Sequence, residues 1–304
     1  MSSLNVHTTS QINALTPITG DMVVDSDLNA VKLYDGTAWR TWNTDALAAG
    51  GHQNRWCASL DGVNDYFNIG NHVTFNTANA FSFSGWMKLN AYTHSYPSLI
   101  SFKTDGSEGY LVGFSQAVGY NGVFFGSGYT AGLTTESTSV ANDLLTGWKH
   151  ICITYDGVSR TAASSFKLYI DGSSVSVVNS SSLAGISNDN SFGKFASRYF
   201  DGGMDDLATF NSELSAADVL KIYNGTAPNG KPTDLTKASS YDTANQEQNL
   251  TGYWRMGDDS NDSATSGGSI STITDSSGNG NDATQSTASS QPTFSDLTGE
   301  TIYV

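Results

Sequence analysis

The sequence predicts an all-β protein, a β-sandwich preceded by a small N-terminal β-meander. Three observations carry this. Short apolar runs with period-two alternation recur along the chain, separated by Asp-Gly, Asp-Ser and Gly-rich turns. Gly, Ser, Thr, Asn and Asp are abundant, whereas long helical patterns are absent. The one well-marked helix is short and follows a strand, in FDGGMDDLATFNSELSAADVLKIYNG from Phe200 to Gly225. At 304 residues the chain can bury a substantial core in one or two domains.

Charge narrows the partners. The 14 Lys and Arg against 29 Asp and Glu leave a net charge of −15. That surplus repels nucleic acid and anionic membranes, and no basic cluster offsets it. Only Glu108, Glu136, Glu213, Glu247 and Glu300 are glutamates, so nearly all the acid is Asp, a residue of turns first and of calcium ligands second. The two cysteines, Cys57 and Cys152, sit in strand-like runs, as buried thiols or as a bridge between neighbouring strands. No apolar run reaches membrane-spanning length, and the N-terminus lacks a charged-then-apolar leader pattern. This predicts a protein released by lysis rather than by ordinary secretion.

Residues 1–50 form the first section. Its core, Ile18 to Trp42, holds three short runs, Met22 to Val24, Val31 to Tyr34 and Trp39 to Trp42, separated by turn residues. A meander this small is not stable alone and needs another domain or copies of itself. Gly20, Asp21, Asp25, Asp27, Asn29, Lys32 to Gly36 and Trp39 make a pattern that resembles a short module of tailed-phage fibre and virion proteins. The resemblance implies an attachment or oligomerisation role. Thr44 to Gln53 reads as a linker.

Residues 54–228 carry the predicted sandwich. Ala58 to Gly70 is a strand meeting an Asp-Gly turn, and Ala80 to Asn90 alternates as a sandwich strand should. SLISFKTDGSEGYLVGF is a hairpin around Asp105-Gly106, and Gly147 to Gly157 pairs with Lys167 to Val175. Met204, Leu207 and Phe210 are the large apolar residues of the last strand. Ser215, with Asp218 in a capping-box position, starts the helix, Val219, Leu220, Ile222 and Tyr223 form its apolar side, and Gly225 closes it. In order, S-L-D-G-x-x-D-Y, F-S-x-S-x-W-x-K, W-x-H-x-x-x-T-Y-D-G, L-Y-I-D-G and the closing G-x-D-D resemble laminin G-like and pentraxin-like domains of the concanavalin A-like jelly-roll superfamily. That resemblance implies a sugar-binding fold, with glycan-cutting branches as a minority.

Residues 229–304 are less regular. LTGYWRMGDD is one good strand, and TITDSSGNGNDAT is a polar loop. Both resemble family motifs that stand earlier in many relatives. Completion of the sandwich in permuted order is preferred over a remnant of a second copy, because this length cannot make a second sandwich. A partly ordered tail is the third reading.

Catalytic signatures are missing. Glucanases of this superfamily need two glutamates on one strand facing the groove, and GGMDDLATF has only Asp205 and Asp206, adjacent and hence expected on opposite faces. His150 lies within a strand, where packing is its expected role. Calcium is the more plausible chemistry: Asp275, Asn279, Asn281 and Asp282 crowd oxygen ligands into one glycine-containing loop, with Asp205 or Asp206 to close the set. Sugar binding needs exposed aromatic faces, and Tyr92, Tyr96, Tyr120, Tyr129 and Tyr199 lie in predicted loops. Trp86, Trp148 and Trp254 sit in strand patterns and are expected in the core.

The expectation is therefore a non-enzymatic, lectin-like virion surface protein of a phage: a fibre, spike or capsid decoration. It is assembled in the host cytoplasm and homo-oligomeric, with a trimer as the natural guess from the resemblance. Its partners are other virion proteins and a cell-surface glycan. The alternatives are a purely structural coat protein and a bacterial adhesion lectin.

Overall fold

The computed structural model describes residues 5–19, 21–26, 30–34, 36–37, 39–42, 54–70, 79–94, 96–103, 109–117, 121–127, 131–159, 162–180, 190–226, 233–237, 241 and 246–297. The chain divides into two compact units, Met1–Gln53 and Asn54–Val304.

In the first unit the three expected strands, Met22–Asp25, Ala30–Tyr34 and Trp39–Trp42, form an antiparallel meander. A fourth strand, Val6–His7, adds in parallel to Met22–Asp25. Between them lies a helix the periodicity did not show, Thr9–Asn13, too short to repeat a pattern. Its signal is the Thr8/Gln11 capping box, with both reciprocal hydrogen bonds made. Thr9 Oγ1 donates to the buried Asp25 carboxylate at 2.8 Å, tying helix to sheet.

The second unit is a two-layer sandwich. One sheet runs in the order Ser173–Val175, Phe166–Ile170, Trp148–Tyr155, Phe81–Leu89, Asp201–Phe210, Trp56–Asp61 and Thr293–Asp296, with Leu250–Trp254 also pairing to Asp201–Phe210. The other runs Val178–Ser180, Ala131–Thr134, Gly122–Ser127, Gly109–Ser115, Ser98–Lys103, Ser191–Phe192, Phe67–Asn68, Ala283–Thr284 and Thr272–Ile273. Residues after 229 thus supply strands to both sheets.

Period-two alternation builds three apolar layers from the central strands. Phe81, Phe83 and Met87 point between the sheets, into a core shared with Phe102, Phe114, Ile153 and Trp254. Trp86 points the other way and joins Cys57, Trp148, Leu297 and Tyr223. Cys152, Tyr169, Ala208 and Phe210 form a further outer layer with Val219 and Ile222 of the helix Ala216–Thr226. Burying side chains of this size stabilises by about 1.5–3 kcal/mol each relative to exposure. The helix begins as expected: Ser215 Oγ accepts from Asp218 N at 3.2 Å, and Asp218 Oδ2 accepts from Ser215 N at 3.2 Å. Two details differ. Leu220 is 47% exposed, because it lies about 100° around the helix from Val219, at the margin of the stripe. Gly225 falls inside the last turn rather than after it.

Cys57 and Cys152 are both buried and free. The strands Phe81–Leu89 and Asp201–Phe210 stand between theirs, a separation of ~14 Å at ~4.8 Å per strand. A disulfide needs Cα atoms within ~7 Å, so geometry decides for thiols.

Candidate functional site

One end of the sandwich gathers aromatic and cationic side chains from three segments. The first is the turn after Trp56–Asp61. Asp61 Oδ1 accepts from Val63 N at 2.8 Å and Asn64 N at 3.2 Å, an Asp-centred turn that delivers Tyr66. Gly62 is required here: its φ is +72°, and a Cβ would stand 2.7 Å from Asp201 Cβ. The second segment follows Phe81–Leu89 and brings His94 and Tyr96. His94 Nε2 donates to Gly62 O at 3.0 Å, which fixes the proton on that nitrogen in the neutral ring. The third is a hairpin of two two-residue strands, Lys194–Phe195 and Arg198–Tyr199. Its turn is Ala196-Ser197, with Ala196 at φ +54°, the sign that primed hairpin turns demand.

Register divides the hairpin into two faces. Lys194 opposes Tyr199, and Phe195 opposes Arg198. On one face Lys194 Nζ lies 4.5 Å from the Tyr66 ring centre, Tyr66 and Tyr199 are 6.4 Å apart, and His94 meets Tyr199 edge-on at 6.1 Å. On the other, the Arg198 guanidinium lies 5.3 Å from Tyr96 and 5.4 Å from Phe195, and Tyr96 stands edge-on to Phe124 at 5.5 Å. Each cation–ring contact contributes about 0.5–1 kcal/mol and holds a donor beside an aromatic face. Arg198 has no ion pair among the described residues. Asp65, beneath the turn, has its carboxyl pushed up to about 6 by burial and by the neighbouring Asp61 charge.

Of the five tyrosines proposed from sequence, Tyr96 and Tyr199 stand in this site. Tyr92 is an internal strut: its hydroxyl donates to Ala141 O at 2.7 Å, and burial raises the phenol's pKa. Tyr120 and Tyr129 lie outside the described residues. Tyr66, His94, Lys194 and Arg198 are additional members. The motif ending in Asp-Tyr marked Tyr66, but the hairpin has none of the Gly or Asn that announces such a turn.

The carboxylates proposed for calcium are placed differently. The strand Asp201–Phe210 bulges between Asp205 and Ala208, and Asp206 sits at φ +44°. The bulge breaks the strict alternation expected of Asp205 and Asp206. Asp206 accepts from Tyr253 Oη at 2.8 Å and Asn54 Nδ2 at 2.9 Å, with Arg255 Nε at 3.9 Å. Burial raises both carboxyls, and their mutual repulsion raises Asp205 further. Asp258, its Oδ2 accepting from Arg55 N and Trp56 N, is pushed up to about 7, chiefly by burial.

Asp275 is taken up by backbone donors. Its Oδ1 accepts from Tyr253 N at 2.9 Å and its Oδ2 from Asn281 N at 3.0 Å. Asp282 Oδ1 accepts from Asp275 N, Asn281 Nδ2 donates to Thr251 O, and Asn279 Nδ2 donates to Leu250 O. Among the described residues no three His, Cys, Asp or Glu side chains stand close enough to hold one cation. A donor set oriented toward N–H groups does not fit a calcium ion, which needs six or more converging oxygens.

A family model described as the concanavalin A-like lectin/glucanases superfamily matches residues 61–220, over half of the chain, and the chain belongs to this laminin G-like family. Its sandwich is the concanavalin A-like jelly roll. A candidate carbohydrate-binding protein from Bacteroides ovatus superposes with a TM-score of 0.47 at 15% identity, over 80% of this chain and 60% of its own length. A heptameric pentraxin from Limulus polyphemus gives 0.35 at 12% identity, over 59% of this chain and 86% of its own. Domains LG4-5 of the mouse laminin α1 chain give 0.34 at 14%, over 59% and 48%. No curated protein sequence matches the chain.

Proposed function

We propose that this chain is a non-enzymatic surface protein of a phage virion whose jelly roll binds a glycan at the Tyr66/His94/Tyr96/Lys194/Arg198/Tyr199 rim. The observation that carries it is the hairpin that presents aromatic rings on both faces, each with a cation held against it. Rings stack on the C–H faces of sugar rings, and the guanidinium and ammonium donate to hydroxyls or carboxylates. Membership of a lectin-containing superfamily supports the same reading. Binding is favoured over cleavage because Asp205 and Asp206 are buried in a hydrogen-bonded network instead of lining a groove. The virion assignment rests on the Gly20 to Trp39 pattern and its resemblance to phage fibre modules. In this reading the first unit joins the chain to other virion proteins and to copies of itself.

The test is a glycan array probed with the full chain, with Tyr199→Ala and Arg198→Ala beside it. Both positions are partly exposed, so both variants keep the wild-type melting temperature. Each is expected to weaken binding roughly tenfold, a loss of about 1.4 kcal/mol. Binding that survives both substitutions, or no glycan bound at all, removes the rim as the site. Gold-labelled antibody on purified particles tests the location. Label at fibres or tail tip supports host recognition, and label over the capsid supports decoration. Unlabelled particles overturn the virion reading and leave the adhesion lectin. Labelled capsids without any glycan affinity would identify a purely structural coat protein.

A further inference from the structure

A cleft of about 210 Å³ opens in the C-terminal segment, lined by residues between 261 and 274 and by Phe294. Its walls are set by a dense hydrogen-bond frame. Asp259 Oδ1 accepts from Asn261 N at 2.9 Å, and its Oδ2 accepts from Ser276 Oγ at 2.6 Å. Asp262 Oδ1 accepts from Thr274 N at 2.9 Å, and its Oδ2 from Gly257 N at 3.2 Å. Across the cleft, Gly267 N donates to Phe294 O and Phe294 N to Gly268 O, while Ile270 N donates to Pro292 O. The loop is therefore shaped before any ligand arrives.

The lining is chemically specific. Ile270 and Phe294 are buried and form an apolar floor. Asp262 supplies a carboxylate whose two backbone bonds leave lone pairs free to accept. The hydroxyls of Ser263, Ser269, Ser271 and Thr272 surround it, and none has a hydrogen-bond partner among the described residues. No cationic side chain lines the cleft. The carboxylate excludes an anion, and the ring of hydroxyls disfavours an apolar ligand. The volume holds about seven waters at ~30 Å³ each and falls below the ~300–1,000 Å³ of drug-sized sites. What remains is a small neutral molecule with one C–H face and several hydroxyls. We infer that this cleft is a second sugar subsite, separate from the rim, that takes a single neutral pyranose or a polyol of that size.

The test uses the full chain, isotope-labelled, titrated with glucose, galactose, mannose and N-acetylglucosamine while backbone amides are followed by NMR. At least one sugar is expected to shift the amides of Asn261, Ser263, Ser271 and Thr272, with Kd on the order of 1 mM. Ser271→Phe, at an exposed position, fills the cleft and abolishes those shifts. Asp262→Asn keeps the shape and weakens binding roughly tenfold. Should Asp262→Asn fail to fold, Ser271→Phe still decides. Tyr199→Ala leaves these shifts unchanged, which separates this subsite from the rim. Absence of shifts with all four sugars, their persistence in Ser271→Phe, or their loss in Tyr199→Ala overturns the proposal. So does a response at these amides to calcium and not to sugar.

Discussion

His150 and Asp258 show how a single buried group sets a property of the folded state. His150 is fully buried, its Nε2 2.8 Å from Ser84 Oγ and its ring against Trp86 and Tyr223. Burial lowers its pKa to about 3. The unfolded chain therefore takes up that proton first. The histidine's contribution is complete above about pH 6.5 and is lost as pH falls toward 3. Asp258 acts in the opposite sense. Its folded pKa of about 7 exceeds the ordinary carboxyl value of ~4, so the folded state takes up the proton first and stability rises as pH falls through that window. Asp205 and Asp206, also raised, add to the acid side. Thermal melts are thus expected to show a Tm that climbs from pH 7 to about 5 before declining. Asp258→Asn should flatten the climb without lowering stability at neutral pH, and an unchanged pH profile would refute the account. None of this was legible in the sequence. Asp206 meets Tyr253, Asn54 and Arg255 only because a bulge turns it toward distant segments, and Tyr92 cannot be told from Tyr199 until its hydroxyl is seen to reach Ala141.

Elements were more legible than residues wherever a pattern is long. The strands Phe81–Leu89, Trp148–Tyr155 and Asp201–Phe210 are long enough for period-two alternation to declare itself, and each falls where the sequence places it. The helix Ala216–Thr226 was readable from its cap. Replacing Ser215 with Ala removes the acceptor for Asp218 N and should cost about 1 kcal/mol. A urea midpoint unmoved by Ser215→Ala would mean that packing of Val219 and Ile222 alone holds the helix. Short elements were hidden for a physical reason. Two-residue strands such as Lys194–Phe195 and Arg198–Tyr199 have no periodicity, and Ala196 enters the left-handed region where Gly or Asn would have signalled the turn. The helix Thr138–Asp143 is likewise one turn and a half, visible only through Ser137 capping Val140 N.

At the scale of the whole molecule, permuted completion of the sandwich is what the strand pairings display. The strand Thr293–Asp296 pairs with Trp56–Asp61, Ala283–Thr284 joins the opposite sheet beside Phe67–Asn68, and Trp254 fills the inter-sheet core. A fragment ending at residue 228 loses all three. It should remain expanded, with dye-accessible apolar surface, whereas residues 54–304 should melt cooperatively. A cooperative transition in the shorter fragment would disprove the dependence. Pairing strands so far apart in sequence also predicts slow folding. It has one more consequence. Asp296 pairs with Trp56, and Leu297 N donates to Arg55 O at 2.7 Å, so the chain enters and leaves the sandwich side by side. The hairpin and its rings sit past Asp61, at the far end of that same entry strand. The sandwich is a cassette with a single stalk point. Hung from any scaffold by its adjoining ends, it turns its binding tip outward, and a tug between those ends opens one pair of strands like a zip.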